Sequence, residues 1–316
     1  MLDPLRHTAS LARWAATRRS QERAGTEALS ETRWTDAQAA AELPDGLSIR
    51  WLGTAGYELT YRGYVLLIDP YLTRMPVADL LRRRTVPPNA EAVAAAVSGA
   101  DAVLVGHTHF DHALDVPEIV RRFGCPAYGS PSVQSLLGLY GLATHAVDVQ
   151  PYLPYELGPF TVTFVPSQHS KLGLGMFVPQ SGPITCDALD ALCPQAYRCD
   201  QVWGIHLDLD GFTLYHQGSA ELVDDAVCHH DVDVFLCGVA GRQFSERFVE
   251  RVLRRLEPRL VVPGHYDDFF RPLDATAGFT ANVDLAGFVE EVAAVSADFT
   301  IRSLALGQRV DGDPPA

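Results

Sequence analysis

Three histidines and one aspartate fall within six consecutive residues, in the segment His107-Thr-His-Phe-Asp-His112. The apolar run 102–106 precedes this segment and predicts a buried strand that ends at the motif. His107 and His109 are two residues apart, so in extended backbone their side chains point to the same side. Asp111 and His112 follow in the turn and can face a second position nearby. Such a grouping of imidazole and carboxylate predicts a site for one or two divalent metal ions.

The composition of the chain limits which kinds of molecule it can bind. At 316 residues, with 47% hydrophobic and 20% charged residues, the chain resembles an ordinary globular protein with a substantial core. The formal net charge of -14 argues against a broad nucleic-acid-binding face, because contact with phosphates needs clustered lysine and arginine. The apolar runs are too short to span a membrane, and no secretory signal is visible. We therefore expect a cytoplasmic protein that acts on a small molecule.

The order of predicted elements indicates the fold class. Strands followed by helices occur twice, once in each half, which predicts an α/β fold with two similar halves. The halves would pack sheet against sheet with helices outside, as a four-layer αββα sandwich. Residues 1–45 are expected to be a helical N-terminal extension, and residues 46–316 one domain. We predict helices near residues 91–99, 115–123, 131–139, 220–228, 246–256 and 284–295, and a last strand at residues 300–304.

Two later histidines occupy positions like that of the first motif. His169 follows the predicted strand 160–165, and His265 follows the predicted strand 260–262. Zinc sites need three or four ligands, so these two residues are candidates to complete the site. Residues 170–200 form a long loop rich in glycine, proline and cysteine, and a loop this long in a compact domain is usually functional. The six cysteines form no Cys-x-x-Cys pair and are expected to be reduced.

These motifs together resemble the metallo-β-lactamase fold superfamily over about residues 47–305. The segment 107–112 carries the resemblance, supported by Gly53-Thr-Ala-Gly56 and Ile68-Asp69-Pro70. The segments that end in His169 and in His265-Tyr266 are similar to one branch. That branch contains the ascorbate-6-phosphate lactonases and the N-acylphosphatidylethanolamine phospholipase D enzymes.

The resemblance implies a role for each residue of the constellation. A first metal ion would be held by His107, His109 and His169, and a second by Asp111, His112 and His265. Asp69 would orient a ligand through hydrogen bonds. Tyr57 and the loop 170–200 would lie near the mouth of the site.

One position departs from the family pattern. The family normally has an aspartate that bridges both metal ions, and Ser219 stands in its place. One metal ion would then bind tightly, or two would share only a water or hydroxide bridge. Alternatively, one of five nearby side chains would substitute for the aspartate: His206, Asp208, Asp210, His216 or Glu221. We interpret His206 and His216 otherwise as packed or hydrogen-bonded residues of the sheet.

The leading functional hypothesis is a metal-dependent hydrolase that acts on an ester, lactone, amide or phosphodiester. A bound metal ion lowers the pKa of water toward about 7. Asp111 would orient or deprotonate that water, and His265 or a loop residue would stabilise the leaving oxygen. Zinc is the expected metal, with manganese or iron as alternatives. Two other hypotheses are an iron-dependent oxygenase or redox enzyme on the same fold, and a non-catalytic metal-binding module, which the substitution at Ser219 motivates.

Overall fold

Two seven-stranded sheets face each other in the computed structural model, which describes residues 4–172, 176–275 and 278–312. Helices cover the outer faces of both sheets. The predicted four-layer α/β sandwich is therefore confirmed.

The first sheet has the strand order β14-β1-β2-β3-β4-β5-β6. Its strands are β1 (Ser48–Gly53), β2 (Gly56–Tyr61), β3 (Tyr64–Ile68), β4 (Ala102–Leu104), β5 (Ala127–Gly129), β6 (Ala146–Asp148) and β14 (Arg309–Asp311). The pairs from β14 to β3 are antiparallel, whereas those from β3 to β6 are parallel. The three-residue strand β4 is fully buried, which agrees with the apolar run before the histidine motif.

The second sheet has the order β13-β12-β11-β10-β9-β8-β7. Its strands are β7 (Pro154–Leu157), β8 (Phe160–Ser167), β9 (Val202–Leu209), β10 (Phe212–Gln217), β11 (Val234–Gly238), β12 (Leu260–Gly264) and β13 (Thr300–Ile301). The pairs from β7 to β10 are antiparallel, and those from β10 to β13 are parallel. Each sheet thus combines an antiparallel part with a parallel part, and loops at the ends of the parallel strands supply most of the site.

The helices over the described residues are α1 (Pro4–Glu31), α2 (Asp36–Glu42), α3 (Val77–Leu81), α4 (Ala90–Ala96), α5 (Phe110–Ala113), α6 (Val116–Phe123), α7 (Pro131–Leu139), α8 (Phe248–Leu256) and α9 (Leu285–Val295). Their ends follow local chemistry. Helix α6 ends at Gly124, which adopts the left-handed conformation with φ of 68°. The side chain of Asp284 accepts a hydrogen bond from Gly287 N and so caps α9. Neither helix 116–123 nor 285–295 departs from its predicted range by more than one residue.

The predicted helix at residues 220–228 is wrong. Only a single 3-10 turn, Asp224–Ala226, forms there. Leu222 instead makes an isolated β-bridge with Ser167, and the Asp224 carboxylate is paired with Arg251 of α8. These long-range contacts outweigh the helical spacing of the local sequence. The predicted last strand, 300–304, is also too long, because β13 ends at Ile301.

The segment after α1 is built into the main core. Trp34 is completely buried, and its backbone N–H donates to the carbonyl of Ser303 at 2.9 Å. Further back, Gly25 of α1 packs against Phe279 and Leu285. Residues 1–3 of the expected extension and residues 313–316 of the expected domain lie outside the described residues. Among the described residues no helix is both long and apolar enough to cross a membrane.

Candidate metal centre

The first motif leaves β4 and turns at once into the short helix α5. His109 is the residue before that helix, and Asp111 and His112 lie within it. The three histidines and the aspartate of the motif are all buried, although such residues are seldom buried without a partner. The loops after β8 and β12 bring His169 and His265 to the same place.

His107, His109 and His169 form a first cluster. The nearest ligand atoms of these three side chains lie within 4.8 Å of one another. The rings of His107 and His109 are 4.9 Å apart, those of His107 and His169 are also 4.9 Å apart, and those of His109 and His169 are 4.7 Å apart. Their planes are nearly perpendicular, at 79–84°. The rings therefore surround a common point instead of stacking.

Hydrogen bonds at the outer ring nitrogens fix the tautomers of two of these histidines. His109 Nε2 lies 3.0 Å from the Pro179 carbonyl, and His169 Nδ1 lies 2.7 Å from the Ser170 carbonyl. A carbonyl oxygen only accepts, so each of these nitrogens carries the proton and the other keeps its lone pair. This is the arrangement that metal-ligating histidines normally have.

Burial keeps the first cluster neutral. Burial lowers the pKa of His109 to about 4 and that of His169 to about 3, and it lowers the pKa of His107 well below its usual value. The Nε2 atom of His107 is buried without a hydrogen-bond partner among the described residues. An unpartnered buried nitrogen costs about 1–3 kcal/mol, and a metal ion would satisfy it. The three imidazoles therefore fit a divalent metal ion.

Asp111, His112 and His265 form a second cluster, again with ligand atoms within 4.8 Å of one another. The Asp111 carboxylate lies 3.3 Å from His265 Nε2 and 3.8 Å from His112 Nε2. Burial raises the pKa of Asp111, but the two histidines outweigh burial and hold the pKa below its usual value. For His112, burial lowers the pKa, yet Asp69 and Asp111 together raise it above the usual value. This cluster is thus anionic at its carboxylate and favours a cation.

Asp69 supports the second cluster from behind. Its Oδ2 atom accepts from His112 Nδ1 at 2.8 Å, and its Oδ1 atom accepts from Gly106 N at 2.6 Å. A Cβ atom at Gly106 would lie only 2.9 Å from the carboxylate, and one at Gly218 only 2.8 Å, so both positions require glycine. Asp69 itself has φ of 43°, and His265 has φ of 56°. Left-handed backbone at two non-glycine residues of one site is strain of the kind found at functional centres.

Ser219 leaves the two clusters without a carboxylate at the expected bridging position. Its Oγ atom accepts from Ser170 N at 3.1 Å. His216 is buried, with Nε2 2.9 Å from the Ala55 carbonyl. The groups that could hold a metal ion, as found over the described residues, include none of the suggested substitutes: His206, Asp208, Asp210, His216 and Glu221. The interpretation of His206 and His216 as sheet residues agrees with their contacts, since His206 stacks on His229 with ring centres 3.8 Å apart.

Tyr57 was expected near the mouth of the site, and that expectation is wrong. The side chain is buried, with its hydroxyl group against Gly264 and its ring edge against His216. Burial raises the pKa of Tyr57 well above its usual value, so it stays a neutral phenol. Its role is to fill the core beneath the site.

A cavity of about 360 Å³ opens onto both clusters. His109, His169, Asp111 and His265 line it together with Ser219. The long loop 170–200 contributes Ser170, Leu172, Pro179 and Gln180, which agrees with its expected place near the mouth; its residues 173–175 lie outside the described part. Sequence reasoning missed the aromatic residues Phe110, Phe269 and Phe270. The adjacent pair Phe269-Phe270, so soon after His265, was the available signal.

Comparisons with known proteins show the family to which the chain is similar. Residues 48–265 match the model of a family described as the beta-lactamase superfamily domain. A UPF0173 metal-dependent hydrolase of Carboxydothermus hydrogenoformans is 26% identical over 226 residues, which are 70% of this chain and 85% of that protein. A second protein of this name, from Archaeoglobus fulgidus, is 27% identical over 234 residues, covering 71% of this chain and 84% of its own.

Two solved structures show the same fold. The metallo hydrolase Igni18 of Ignicoccus hospitalis has a TM-score of 0.56 at 19% identity, covering 84% of this chain and 97% of its own. The diiron β-hydroxylase CmlA of Streptomyces venezuelae has a TM-score of 0.56 at 15% identity, covering 85% of this chain and 55% of its own. The family match spans well over half of the chain, and it confirms the membership that the motifs predict. The chain belongs to the beta-lactamase superfamily.

Proposed function

We propose that the protein is a metal-dependent hydrolase that cleaves an ester, lactone, amide or phosphodiester bond of a small molecule. The observation that carries the proposal is the pair of adjoining clusters, both open to one cavity. The names of the curated relatives support the same reaction class. A cavity of this size lies at the lower end of the roughly 300–1,000 Å³ range of small-molecule sites.

Each of the two clusters would hold one metal ion. His107, His109 and His169 would hold one metal ion, and Asp111, His112 and His265 a second, with zinc as the expected element and manganese or iron as alternatives. A bound metal ion supplies a water of lowered pKa, near about 7, and polarises the oxygen of the scissile group.

Three groups of the chain position the reacting atoms. Asp111 keeps its carboxylate ionised at neutral pH, so it can accept a proton from the attacking water. Asp69 holds His112 through the 2.8 Å hydrogen bond and thereby fixes the ring that faces Asp111. His265 lies beside Asp111 at the cavity wall, and in the proposed reaction it would stabilise the leaving oxygen.

The proposed setting is the cytoplasm. All six cysteines are free thiols, and three of them, Cys125, Cys199 and Cys237, are buried. Burial raises the pKa of Cys125 to about 11 and that of Cys199 to about 12, so these two thiols are poorly reactive at neutral pH. Unpaired thiols suit a reducing compartment. We also propose residues 46–316 as the catalytic unit, with residues 1–45 as an extension packed onto it.

Metal removal and reconstitution test the function. The protein is treated with a chelator, reloaded with zinc, manganese or iron(II), and assayed on a panel of esters, lactones, amides and phosphodiesters. We expect hydrolysis to be lost when the metal is removed and to return when the metal is restored. The activity should not require oxygen. Asp111→Asn should still bind the metal ion of the first cluster but lose most of the activity, since a carboxamide is too weak a base to take a proton from water.

Two outcomes would overturn the proposal. Stoichiometric iron in protein purified without added metal, together with oxygen-dependent turnover, would show an oxygenase instead. Full metal loading with no hydrolysis of any member of the panel would show a non-catalytic metal-binding module.

A further inference from the structure

An aromatic wall stands directly beside the second cluster. The rings of Phe269 and Phe270 are 4.6 Å apart, and Phe110 lies 6.3 Å from the first and 6.2 Å from the second. Phe269 also packs edge-on against His265 at 5.6 Å. All three phenylalanines are only partly buried and line the 360 Å³ cavity. Their exposed surfaces therefore face the space where the substrate must bind.

The rest of the cavity wall differs from the two clusters in its charge. Of the described residues that line this cavity, none is a lysine or an arginine. The polar wall residues besides the two clusters are uncharged, and they include Gln243 and Asn282. The amide atoms Nε2 and Oε1 of Gln243, and Nδ2 of Asn282, have no hydrogen-bond partner among the described residues. Such a wall suits an apolar group that carries one uncharged hydrogen-bonding function, and it does not suit a phosphate.

Charged residues gather instead in a separate groove. This groove, of about 1060 Å³, contains Lys171 and Arg251 together with Asp200, Glu221 and Glu246. It meets the aromatic cavity at His169 and Phe244, which line both. On one side of His169 the space is therefore mainly apolar, and on the other side it is lined by charged residues. A substrate that spans them would place its apolar end among the phenylalanines and its polar end in the groove.

We infer that Phe110, Phe269 and Phe270 form a recognition pocket for a compact apolar group, preferably an aromatic ring, attached to the scissile carbonyl. This inference rests on the proposed hydrolase function and names its substrate class: esters or amides of small arylalkanoic acids. In a representative reaction, the oxygen of water bonds to the carbonyl carbon of methyl phenylacetate and the bond from that carbon to the methoxy oxygen breaks, which gives phenylacetate, methanol and one proton. Among the bonds named in the proposed function, the inference thus selects carboxylic esters and amides over phosphodiesters, because the described wall of the pocket offers no lysine or arginine to a phosphate.

Binding to the metal-free protein tests the pocket without requiring catalysis. Isothermal titration calorimetry of chelator-treated protein compares phenylacetamide with acetamide, which lacks the ring, and with glucose 6-phosphate. We expect phenylacetamide to bind roughly tenfold or more tightly than acetamide, because burying a ring of this size is worth at least about 1.5 kcal/mol. Equal binding of the two amides, or tighter binding of glucose 6-phosphate, would overturn the inference.

Variants locate the binding. Phe270→Ser should abolish the preference for phenylacetamide, whereas Phe270→Leu should keep part of it, since leucine retains an apolar surface. Phe177→Ser is the matched control, because Phe177 is 55% exposed and lies outside the cavity. Thermal unfolding shows whether each variant is folded. If the folded Phe270→Ser protein kept the full preference, the ring would bind elsewhere and the inference would be wrong.

Catalysis separates this inference from the proposed function. With metal restored, kcat/KM for methyl phenylacetate should exceed that for methyl acetate by roughly tenfold or more. If binding depended on the ring but no panel substrate were turned over, the recognition pocket would be supported and the proposed hydrolase function would be wrong. If esters were hydrolysed with no preference for the ring, the proposed hydrolase function would be supported and the recognition pocket would be wrong.

Discussion

The two clusters of candidate metal ligands differ in charge and in the source of their support. The first consists only of imidazoles, which burial keeps neutral, and backbone carbonyls hold two of its rings. The second contains the Asp111 carboxylate and rests on a second carboxylate, that of Asp69. The first cluster therefore offers neutral donors with little competition from protons. The second offers negative charge, but a proton competes for His112.

This difference has a consequence for the order of metal binding. A tridentate set of neutral, preoriented imidazoles needs no deprotonation at neutral pH, so we expect it to fill first. Because Ser219 supplies no carboxylate to both clusters, filling the first cluster does little to organise the second. The protein should therefore bind its metal ions in two separate steps.

The largest effect is expected from His107→Ala combined with His109→Ala. This double variant removes two of the three ligands of the first cluster, and we expect it to abolish the first step of metal uptake. Activity should fall by roughly 10³-fold or more, because metal-ion stabilisation is worth several kcal/mol. Elemental analysis after dialysis measures the metal content. The matched control is His145→Ala combined with His230→Ala, which lie outside the clusters; full metal content in the first double variant would contradict the assignment.

Asp69→Asn tests the support of the second cluster. The substitution removes the charge that faces His112 and leaves the first cluster untouched, so the second metal ion should bind about 10–100-fold more weakly. Competition with a coloured chelator measures both steps. Asp101→Asn is the control, because that carboxylate also accepts a backbone hydrogen bond, from Val65 N at 2.7 Å, but outside both clusters. If the substitution weakened only the first metal-binding step, Asp69 would support the first cluster and not the second.

The sequence predicted the positions of these clusters because each ligand follows a strand whose apolar pattern is legible. His107 after β4 and His265 after β12 are examples. The grouping of the six side chains came from the family resemblance, since their convergence depends on two sheets that meet only in the fold. The order of elements likewise predicted the four layers.

Features that depend on contacts between residues far apart in the chain could not be predicted from the sequence. Arg74 and Asp267 form a buried ion pair at 2.7 Å, although they are 193 residues apart. The predicted helix at residues 220–228 does not form because Leu222 pairs with Ser167 and Asp224 pairs with Arg251 of α8. The aromatic wall combines Phe110 with two residues of a loop that has no periodicity. None of these contacts leaves a pattern in a local window of sequence.

Ser219→Asp tests whether a shared carboxylate couples the two steps. Ser219 lines the cavity with His169, Asp111 and His265, so an aspartate there would add charge beside both clusters. We expect the second metal ion to bind roughly tenfold more tightly and the two steps to merge. Ser219→Asn has nearly the same shape without the charge and should leave the steps separate. If the aspartate and asparagine variants titrated alike, a missing carboxylate would not explain the separation.

The smallest effect concerns an imidazole outside both clusters, and it tests whether burial alone keeps such rings neutral. Burial lowers the pKa of His206 to about 4, and charge repulsion from the neighbouring His229 adds to this, while the Asp208 carboxylate opposes it. The unfolded chain takes up the proton near pH 6.5, so the folded state binds fewer protons below that value. His206 therefore stabilises the fold above about pH 6.5 and loses that contribution as the pH falls toward 4.

His206→Gln removes this dependence. The free energy of unfolding, from urea titrations, should fall between pH 6.5 and 4.5 by about 1 kcal/mol less in the variant than in the parent, since partial exposure of the ring weakens the effect. His230→Gln, at an exposed position, should follow the parent curve. Parallel curves for all three proteins would mean that burial in this sheet does not hold an imidazole neutral. The neutrality of the first cluster would then have to come from the convergence of its three rings.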